Sequence, residues 1–421
     1  MEPVARGRIK QALVKIGFPA EDLAGYREGA PLPIALRVFT ASGVPFGLRH
    51  YQEDAAKVFH AGGTERGGSG VIVLPCGAGK TIVGMACMAE VQSATLVLTT
   101  SVTATRQWVA ELLDKTTLQA DQVGEYNGST KDVRPVTVAT YNIMTWRPRD
   151  DAEFTHLQLF DQRNWGLIIY DEVHLLPAPV FQVTAGLQAR RRLGLTATLV
   201  REDGREDDVF ALIGPKKLDV PWKVLEGEGW IATATCTEIR LPLPEELRMP
   251  YALADAWQKS RLAAENPRKL ASVREVLKRH PGEPTLIIGM YVGQIKQIAA
   301  ELGVPVLTGT TAQRKRDAIY EDFKAGRIGV LAVSKIANFA VDLPDAAVAI
   351  QVSGTFGSRQ EEAQRLGRIL RPKPGTNQAH FYTIVTRDTV EQDFALKRQL
   401  FLCEQGYTYE ICDAGENGRK T

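Results

Sequence analysis

The 421-residue chain carries 51 lysines and arginines against 49 aspartates and glutamates, a net charge of +2, with 44% hydrophobic and 24% charged residues. These proportions describe a folded globular protein rather than a disordered one, and the length favours two domains over one. The near-neutral balance excludes a globally basic chain, so any grip on an acidic partner must come from local patches.

Residues 1–47 read as one helix over 6–17 followed by a Pro/Gly-rich connector, "REGAPLPIALRVFTASGVPFG". The helix breaks its apolar residues with charges, unlike the apolar core of a secretory signal, and no run reaches the ~18–20 apolar residues of a membrane span. Five scattered cysteines, Cys76, Cys87, Cys236, Cys403 and Cys412, include no Cys-x-x-Cys pair. That spacing predicts free thiols in a cytoplasmic protein, with no iron–sulfur cluster and no zinc.

An α/β rhythm follows. Short, nearly all-apolar runs at 69–74 (SGVIVL), 94–99 (ATLVLT), 136–140 (VTVAT), 166–170 (GLIIY) and 192–197 (RLGLTA) predict strands buried on both faces, with helical patterns between them. The rhythm stops over 225–265, where turn residues mix with a strand-like piece and a helix. It restarts at 285–290 (TLIIGM), 304–309 (VPVLTG), 328–334 (IGVLAVS), 347–353 (AVAIQVS) and 380–385 (HFYTIV). The pattern predicts an α/β fold of two parallel-sheet lobes joined by a small irregular element.

The first strand runs straight into Pro75-Cys76-Gly77-Ala78-Gly79-Lys80-Thr81 and a helix. Gly77 and Gly79 let the backbone approach an anion, helix amides face the phosphates, Lys80 adds a point charge, and the Thr81 hydroxyl can sit on Mg²⁺. The usual first glycine of the pattern is Leu74 here. Asp171 and Glu172 follow a later strand, where the first can hold Mg²⁺ through water and the second can orient and deprotonate an attacking water. In the second lobe, "QEEAQRLGRILRP" places Arg365, Arg368 and Arg371 three residues apart on one helix with Gln364, suiting guanidinium contact with a γ-phosphate. The segment 201–208 holds seven charges in eight residues. Trp108 and Trp146 are open to base stacking, though a Trp beside a helical apolar stripe is more often core. The basic runs at 189–192 (ARRR) and 314–316 (RKR) are candidate phosphate contacts or solvated faces.

Nine signatures occur in order: LRHYQ (48–52), LPCGAGKT (74–81), TTSVTATRQW (99–108), VATYNIM (138–144), YDEVHLLPAP (170–179), LTATLVRED (195–203), LTGTTAQRKR (307–316), SKIANFAVDLP (334–344) and QEEAQRLGRILRP (360–372). Together they resemble the superfamily 2 helicases, and within them the xeroderma pigmentosum type B (XPB) helicases of the bacterial branch, over about residues 48–412. The resemblance implies two RecA-like lobes in tandem with a short thumb-like insertion. It places an N-terminal segment at 1–47, an ATP-binding lobe at 48–225, the insertion at 226–265, a second lobe at 266–412 and a tail at 413–421.

By the same resemblance, Gln52 reads adenine with Arg49 nearby, and Asp342 joins the nucleotide contacts. Lys80, Thr81, Asp171 and Glu172 match the ATPase residues, and Thr81 and Asp171 hold Mg²⁺. His174, Thr196 and Thr198 couple hydrolysis to lobe movement. Arg368 and Arg371 are arginine fingers, and Gln364 senses the γ-phosphate. Thr100, Arg106, Thr140 and Thr310 touch the DNA backbone, while Arg201-Glu202-Asp203 lies where duplex DNA is opened. The implied activity is an ATP- and Mg²⁺-dependent 3′–5′ DNA helicase, a monomeric motor working on junctions of single-stranded and duplex DNA in repair. The alternative is a double-strand translocase, or an ATP-driven loader of a nuclease partner that does not separate strands. An RNA helicase is a weaker third option, and the Arg-Glu-Asp element argues against it.

Overall fold

The computed structural model describes residues 28–64, 67–75, 77–149, 155–160, 162–175, 191–197, 206–334, 346–354, 377–404 and 406–414, with residues 9, 12, 13, 16 and 18 near the N-terminus. The chain divides into two compact units, the first built mainly from residues up to Val220 and the second mainly from Pro221 onward.

The first unit holds β1 (Ser69–Val73), β2 (Thr95–Thr99), β3 (Val123–Tyr126), β4 (Val136–Thr140), β5 (Leu167–Asp171), β6 (Arg191–Thr196) and β7 (Lys216–Asp219). They form one parallel sheet in the order β3-β4-β2-β5-β6-β1-β7. Every residue of β2 and β4 is buried, as expected of strands covered on both faces. The helices are α1 (His50–His60), α2 (Lys80–Val91), α3 (Val102–Lys115), the single turn α4 (Tyr141–Met144) and α5 (Glu206–Ile213). The Ser101 hydroxyl starts α3 by accepting the Ala104 N–H at 3.1 Å, which satisfies one of the free amides of the first turn. Apolar side chains from β1, β2, β5, α4 and α5, among them Val71, Leu96, Ile168, Met144 and Leu212, make the core on one side of the sheet.

The second unit holds β8 (Thr233–Leu241), β9 (Thr285–Gly289), β10 (Val306–Leu307), β11 (Val330–Ser334), β12 (Val348–Gln351), β13 (Gln378–Thr386) and β14 (Thr408–Asp413), parallel in the order β10-β11-β9-β12-β13-β8-β14. Its helices are α6 (Trp222–Gly227), α7 (Glu245–Leu253), α8 (Ala256–Ala264), α9 (Lys269–Arg279), α10 (Val292–Leu302), α11 (Gln313–Lys324) and α12 (Val390–Glu404). A second core gathers Val273, Ile287, Ile298, Ala332, Ile350 and Ile384. Two parallel α/β sheets with flanking helices are the tandem architecture expected from the alternating pattern.

Two stretches sit differently from the expectation. The span 226–265 is not all insertion, because β8 is an interior strand of the second sheet, paired with β13 on one side and β14 on the other. From Thr233 to Glu238 its threonines face outward or half outward and alternate with buried Ala234, Cys236 and Glu238, a period-two pattern broken at Ile239, which is also buried. Only α7 and α8, at 245–264, stand outside the sheet. The connector of the N-terminal segment is laid onto the first unit: Leu32 and Ile34 are buried, the Ile34 N–H donates to Gln92 Oε1 at 3.1 Å, and the Ala35 N–H donates to Thr117 Oγ1 at 3.0 Å. The helix expected at 6–17 lies outside the described residues apart from isolated positions. Among the described residues, no helix is long and apolar enough to cross a membrane.

The second unit is fastened by a buried ion pair. Lys269 Nζ lies 2.7 Å from Glu391 Oε1 and also donates to the Val352 carbonyl at 2.7 Å, while Glu391 Oε2 accepts the Thr386 N–H at 2.9 Å. One pair therefore joins α9, the end of β12, the end of β13 and the start of α12. Burial drags the Lys269 ammonium below its usual range, opposed by the charge of Glu391. Removing only the carboxylate strands the cation in a low-dielectric interior. Glu391→Ala should lower the unfolding free energy by about 3–5 kcal/mol in urea titrations, and Glu391→Gln by less, because the amide still accepts a hydrogen bond.

Candidate active site

The strand order builds the site. Because β6 lies between β5 and β1, their carboxyl ends bring Asp171, Thr196 and the loop after Val73 side by side, where ligands of open parallel sheets collect. Leu74 N–H donates to the Thr196 carbonyl at 3.0 Å, tying the loop to the end of β6. Gly77 (φ 82°) and Gly79 (φ 81°) both take left-handed conformations, which favour glycine. At Gly79 a β-carbon would also lie 2.6 Å from Gln52 Nε2. The glycine thus gives the turn into α2 its shape and leaves room for the buried Gln52 amide beside it. Gln52 Oε1 in turn accepts the Arg49 N–H at 3.0 Å, and the Arg49 guanidinium donates to Tyr51 Oη at 3.0 Å.

Around this loop the charged groups form a chain. Lys80 Nζ stands 3.3 Å from Glu172 Oε1; Glu172 Oε2 stands 3.5 Å from His174 Nδ1; and that nitrogen lies 2.8 Å from Thr196 Oγ1. Glu172 has φ 48°, left-handed backbone that is uncommon for a residue with a side chain. This turn follows directly on β5 and folds the Glu172 N–H back onto Asp171 Oδ1 at 3.0 Å. Asp171 Oδ2 accepts the indole N–H of Trp108 at 2.9 Å, and the Asp171 carbonyl accepts the Tyr141 hydroxyl at 2.9 Å. Burial and the neighbouring Glu172 push the Asp171 carboxyl up to about 6; the Trp108 indole and Lys80 pull the other way. Burial, followed by the charge of Asp171, also holds the Tyr141 phenol well above its ordinary range.

The structure thus brings Gln52, Gly79, Lys80, Asp171, Glu172, His174 and Thr196 together, with Pro75, Gly77 and Ala78 in the loop and Thr81 in the first turn of α2. This donor set fits a magnesium–nucleotide complex. The loop is open backbone ahead of a helix N-terminus, and a hydroxyl and a carboxylate supply the hard oxygen ligands that Mg²⁺ prefers. Cys76, Thr198, Arg201, Glu202, Asp203, Asp342, Gln364, Arg365, Arg368 and Arg371 lie outside the described residues.

The residues expected at DNA are placed unevenly. Arg106 is exposed on α3, its Nε 3.8 Å from Glu125 Oε1. Thr100 is half-buried between β2 and α3. Thr140 is only 4% exposed, and its hydroxyl caps the turn α4 by accepting the Ile143 N–H; this buried role departs from the expected backbone contact. Thr310 lies in the second unit, its hydroxyl 3.0 Å from that of Thr308, on a turn braced by Arg316, which donates to the carbonyls of Thr308 and Thr311. The 189–192 run is no basic patch over its described part: Arg192 is buried in β6 and Arg191 pairs with Glu28 at 3.3 Å. Trp146 is half exposed and leans on His156, whereas Trp108 is core.

Three residues at the site went unassigned by the sequence: Trp108 as a donor, Tyr141, and Gly84, where a β-carbon would lie 2.5 Å from Cη2 of Trp108. Trp108 and Tyr141 stand inside recognised motifs, but their partners are 63 and 30 residues away, beyond any local signal. In the second unit, His280, Glu283 and His380 place ligand atoms within 4.8 Å of one another. His280 is engaged there by Glu283 at 3.2 Å and Tyr382 at 2.9 Å.

Two family models match the chain: the ERCC3/RAD25/XPB C-terminal helicase over residues 225–420 and the type III restriction enzyme res subunit over residues 45–201. The chain is 54% identical to the DNA 3′-5′ helicase XPB of Mycobacterium tuberculosis over 416 residues, covering 99% of this chain and 74% of that protein. It is likewise 54% identical to the protein of that name from Kineococcus radiotolerans, covering 99% of this chain and 72% of the relative. The solved structure of Dbp5 from S. cerevisiae bound to RNA and ADP BeF3 superposes with a TM-score of 0.62 at 12% identity, over 87% of this chain and 90% of that one, a likeness of fold. The chain belongs to the XPB family of superfamily 2 helicases, in its bacterial branch.

The raised Asp171 carboxyl has two consequences of known sign. It must ionise to hold a cation, so Mg²⁺ uptake should weaken as pH falls through about 6, rather than near the ~4 of an ordinary aspartate. Between those two values the folded chain keeps a proton that the unfolded chain has released, so this group's contribution makes stability fall as pH rises through the window. Asp171→Asn should therefore raise the melting temperature at pH 8 and leave it unchanged at pH 4. Equal effects at both pH values would show that the burial cost is not electrostatic. Gly79→Ala should lose nucleotide binding at least tenfold, measured with a fluorescent ADP analogue, because both backbone and Gln52 resist the methyl group.

Proposed function

We propose that this XPB-family protein is an ATP-dependent 3′–5′ DNA helicase working on junctions of single-stranded and duplex DNA in repair. The observation that carries the reading is Lys80, at the start of α2 behind a glycine-formed phosphate loop, set 3.3 Å from Glu172, which follows Asp171 at the end of β5. The loop amides and Lys80 would hold the phosphates of ATP, while Thr81 and Asp171 would hold Mg²⁺. Mg²⁺, when bound, withdraws charge from the phosphate oxygens.

The remaining work falls to the chain's own side chains. Without nucleotide, Lys80 is the cation of Glu172 at 3.3 Å. A polyphosphate competes for Lys80, and Glu172 can then orient a water and take its proton. His174, between Glu172 and Thr196, passes that change to the end of β6. The chain continues from there into Thr198 and Arg201-Glu202-Asp203, assigned to coupling and to duplex opening. Gln364, Arg368 and Arg371 complete the reading as γ-phosphate contacts and Asp342 as a further nucleotide contact. The DNA phosphates fall to Thr100, Arg106 and Thr310. The same reading makes the protein a cytoplasmic, monomeric motor.

Strand separation on duplexes bearing either a 3′ or a 5′ single-stranded tail tests this reading, with ATP hydrolysis followed in the same tubes. Opening only of the 3′-tailed duplex is the expected result. DNA-stimulated hydrolysis with neither duplex opened would replace strand separation with translocation or the loading of a partner such as a nuclease. Glu172→Gln and Lys80→Ala should each lower turnover by roughly 10²–10⁴-fold while leaving the thermal unfolding curve that of a folded protein. Full turnover in either variant would overturn the assignment.

A further inference from the structure

The Trp108 indole joins two helices to one carboxylate. It is 2% exposed, and its N–H donates to Asp171 Oδ2 at 2.9 Å. Its far edge lies against α2 at Gly84, where a β-carbon would come within 2.5 Å of Cη2. The helix that carries the phosphate loop therefore lacks a side chain where the indole lies. Asp171 is otherwise fixed by its own neighbourhood: the Glu172 amide on Oδ1 and the Tyr141 hydroxyl on the carbonyl. Of the donors named here to the carboxylate oxygens, Trp108 alone comes from a separate helix.

That helix has a second face. At 3.6 residues per turn, positions 106 and 108 are about 200° apart around its axis, and the structure shows Arg106 exposed while Trp108 is buried. The helix α3 is 14 residues long and is anchored at its start by the Ser101 cap. An anion drawing Arg106 away from Glu125 acts on the same rigid rod that holds the indole against Asp171.

We propose that Trp108 is a positioning residue, through which α3 aims the Asp171 carboxylate and links cation uptake at the nucleotide site to phosphate contacts on the helix's outer face. The proposal rests on the reading of Asp171 as a metal-holding residue given above. An indole that only filled the core would need its shape and not its N–H, because ring volume does not depend on a donor. A charge-directed hydrogen bond contributes more than a neutral one and fixes orientation besides.

The test removes the donor and keeps the ring. Trp108 is replaced by β-(3-benzothienyl)alanine, in which sulfur stands where the indole carries N–H, and Trp108→Phe serves as a second, encoded variant. Binding of Mn²⁺ in the presence of ADP is read from the electron paramagnetic resonance signal of free Mn²⁺, with and without a single-stranded DNA oligonucleotide. The isostere should fold, with a melting temperature lowered by no more than the loss of one hydrogen bond, and without Mn²⁺ it should bind DNA as the native chain does. It should bind Mn²⁺ at least about tenfold more weakly. DNA should tighten Mn²⁺ binding in the native chain and have no such effect in the isostere, as reciprocal linkage between two sites requires.

Native Mn²⁺ affinity in the isostere overturns the proposal, as does a lower melting temperature with unaltered Mn²⁺ affinity, which marks the ring as packing alone. An undiminished DNA effect in the isostere overturns the link through α3. A native chain that binds Mn²⁺ and ADP but hydrolyses no ATP would refute the helicase reading, while a weakened isostere would still support the role of Trp108.

Discussion

Asp171 is a carboxylate kept partly out of water at the end of a parallel strand, and the contacts of Trp108, Tyr141, Glu172 and Lys80 are arranged around it. A carboxylate in such a place ionises reluctantly, and its pKa rises toward 6 unless donors offset the loss of solvent. The fold supplies several at once: the indole of Trp108, the amide of Glu172 and the ammonium of Lys80 nearby. They offset the burial only in part. A fully compensated carboxylate would be a stable ion with little to gain from a cation, whereas an under-compensated one gains most when a cation arrives. If Asp171 holds the cation as proposed, the site would be less stable alone and bind better when filled, a trade-off common where function needs a buried charge.

Several backbone departures serve the same carboxylate and the loop facing it. Glu172 adopts φ 48° and turns its amide back to Asp171, Gly79 adopts φ 81° beside Gln52, and Gly84 lacks a side chain so that Trp108 can lie on α2. Each would be a local error if the fold were optimised for stability alone. Local conformational cost concentrated at one end of a sheet is what pre-organisation for a ligand looks like.

The interior strands were legible because a strand buried on both faces has no choice of residue: 69–74, 94–99, 136–140 and 166–170 are apolar runs with sharp ends. The strands that escaped notice are short or half wet. Strands β3, β7 and β14 are sheet edges, and β7 (KKLD) has no fully buried residue. An edge strand is specified by the neighbour it pairs with, not by its own pattern. The same logic left β8 legible only as a strand-like piece and not as a member of the second sheet, since its threonines face partly outward while the buried Glu238 pairs with Arg240 at 2.6 Å and accepts from Tyr409 at 2.7 Å. Within the site, residues fixed by local chemistry, the glycines of the loop, Lys80 and the Asp-Glu pair, could be read directly. Those that act across the fold could not. Trp108 looks like one more apolar position on α3, and Thr140 looks like an available hydroxyl until its helix turn uses it as a cap.

The short chain of polar contacts from Lys80 through Glu172 and His174 to Thr196 gives the site an output as well as an input. Lys80 pairs with Glu172 at 3.3 Å, and on the proposed reading the phosphates of a nucleotide would compete with Glu172 for that ammonium. His174 stands 3.5 Å from the Glu172 carboxylate and 2.8 Å from the Thr196 hydroxyl, so a change of partner at Glu172 would reach His174 on the same reading. Thr196 is the last residue of β6, and its carbonyl already holds Leu74 at the mouth of the phosphate loop. On the proposed reading, nucleotide occupancy would be felt twice at one residue, through its side chain and through its main chain. Such a strand end, from which the chain runs directly into the charged segment 201–208, would transmit hydrolysis by two contacts where a loop residue has one.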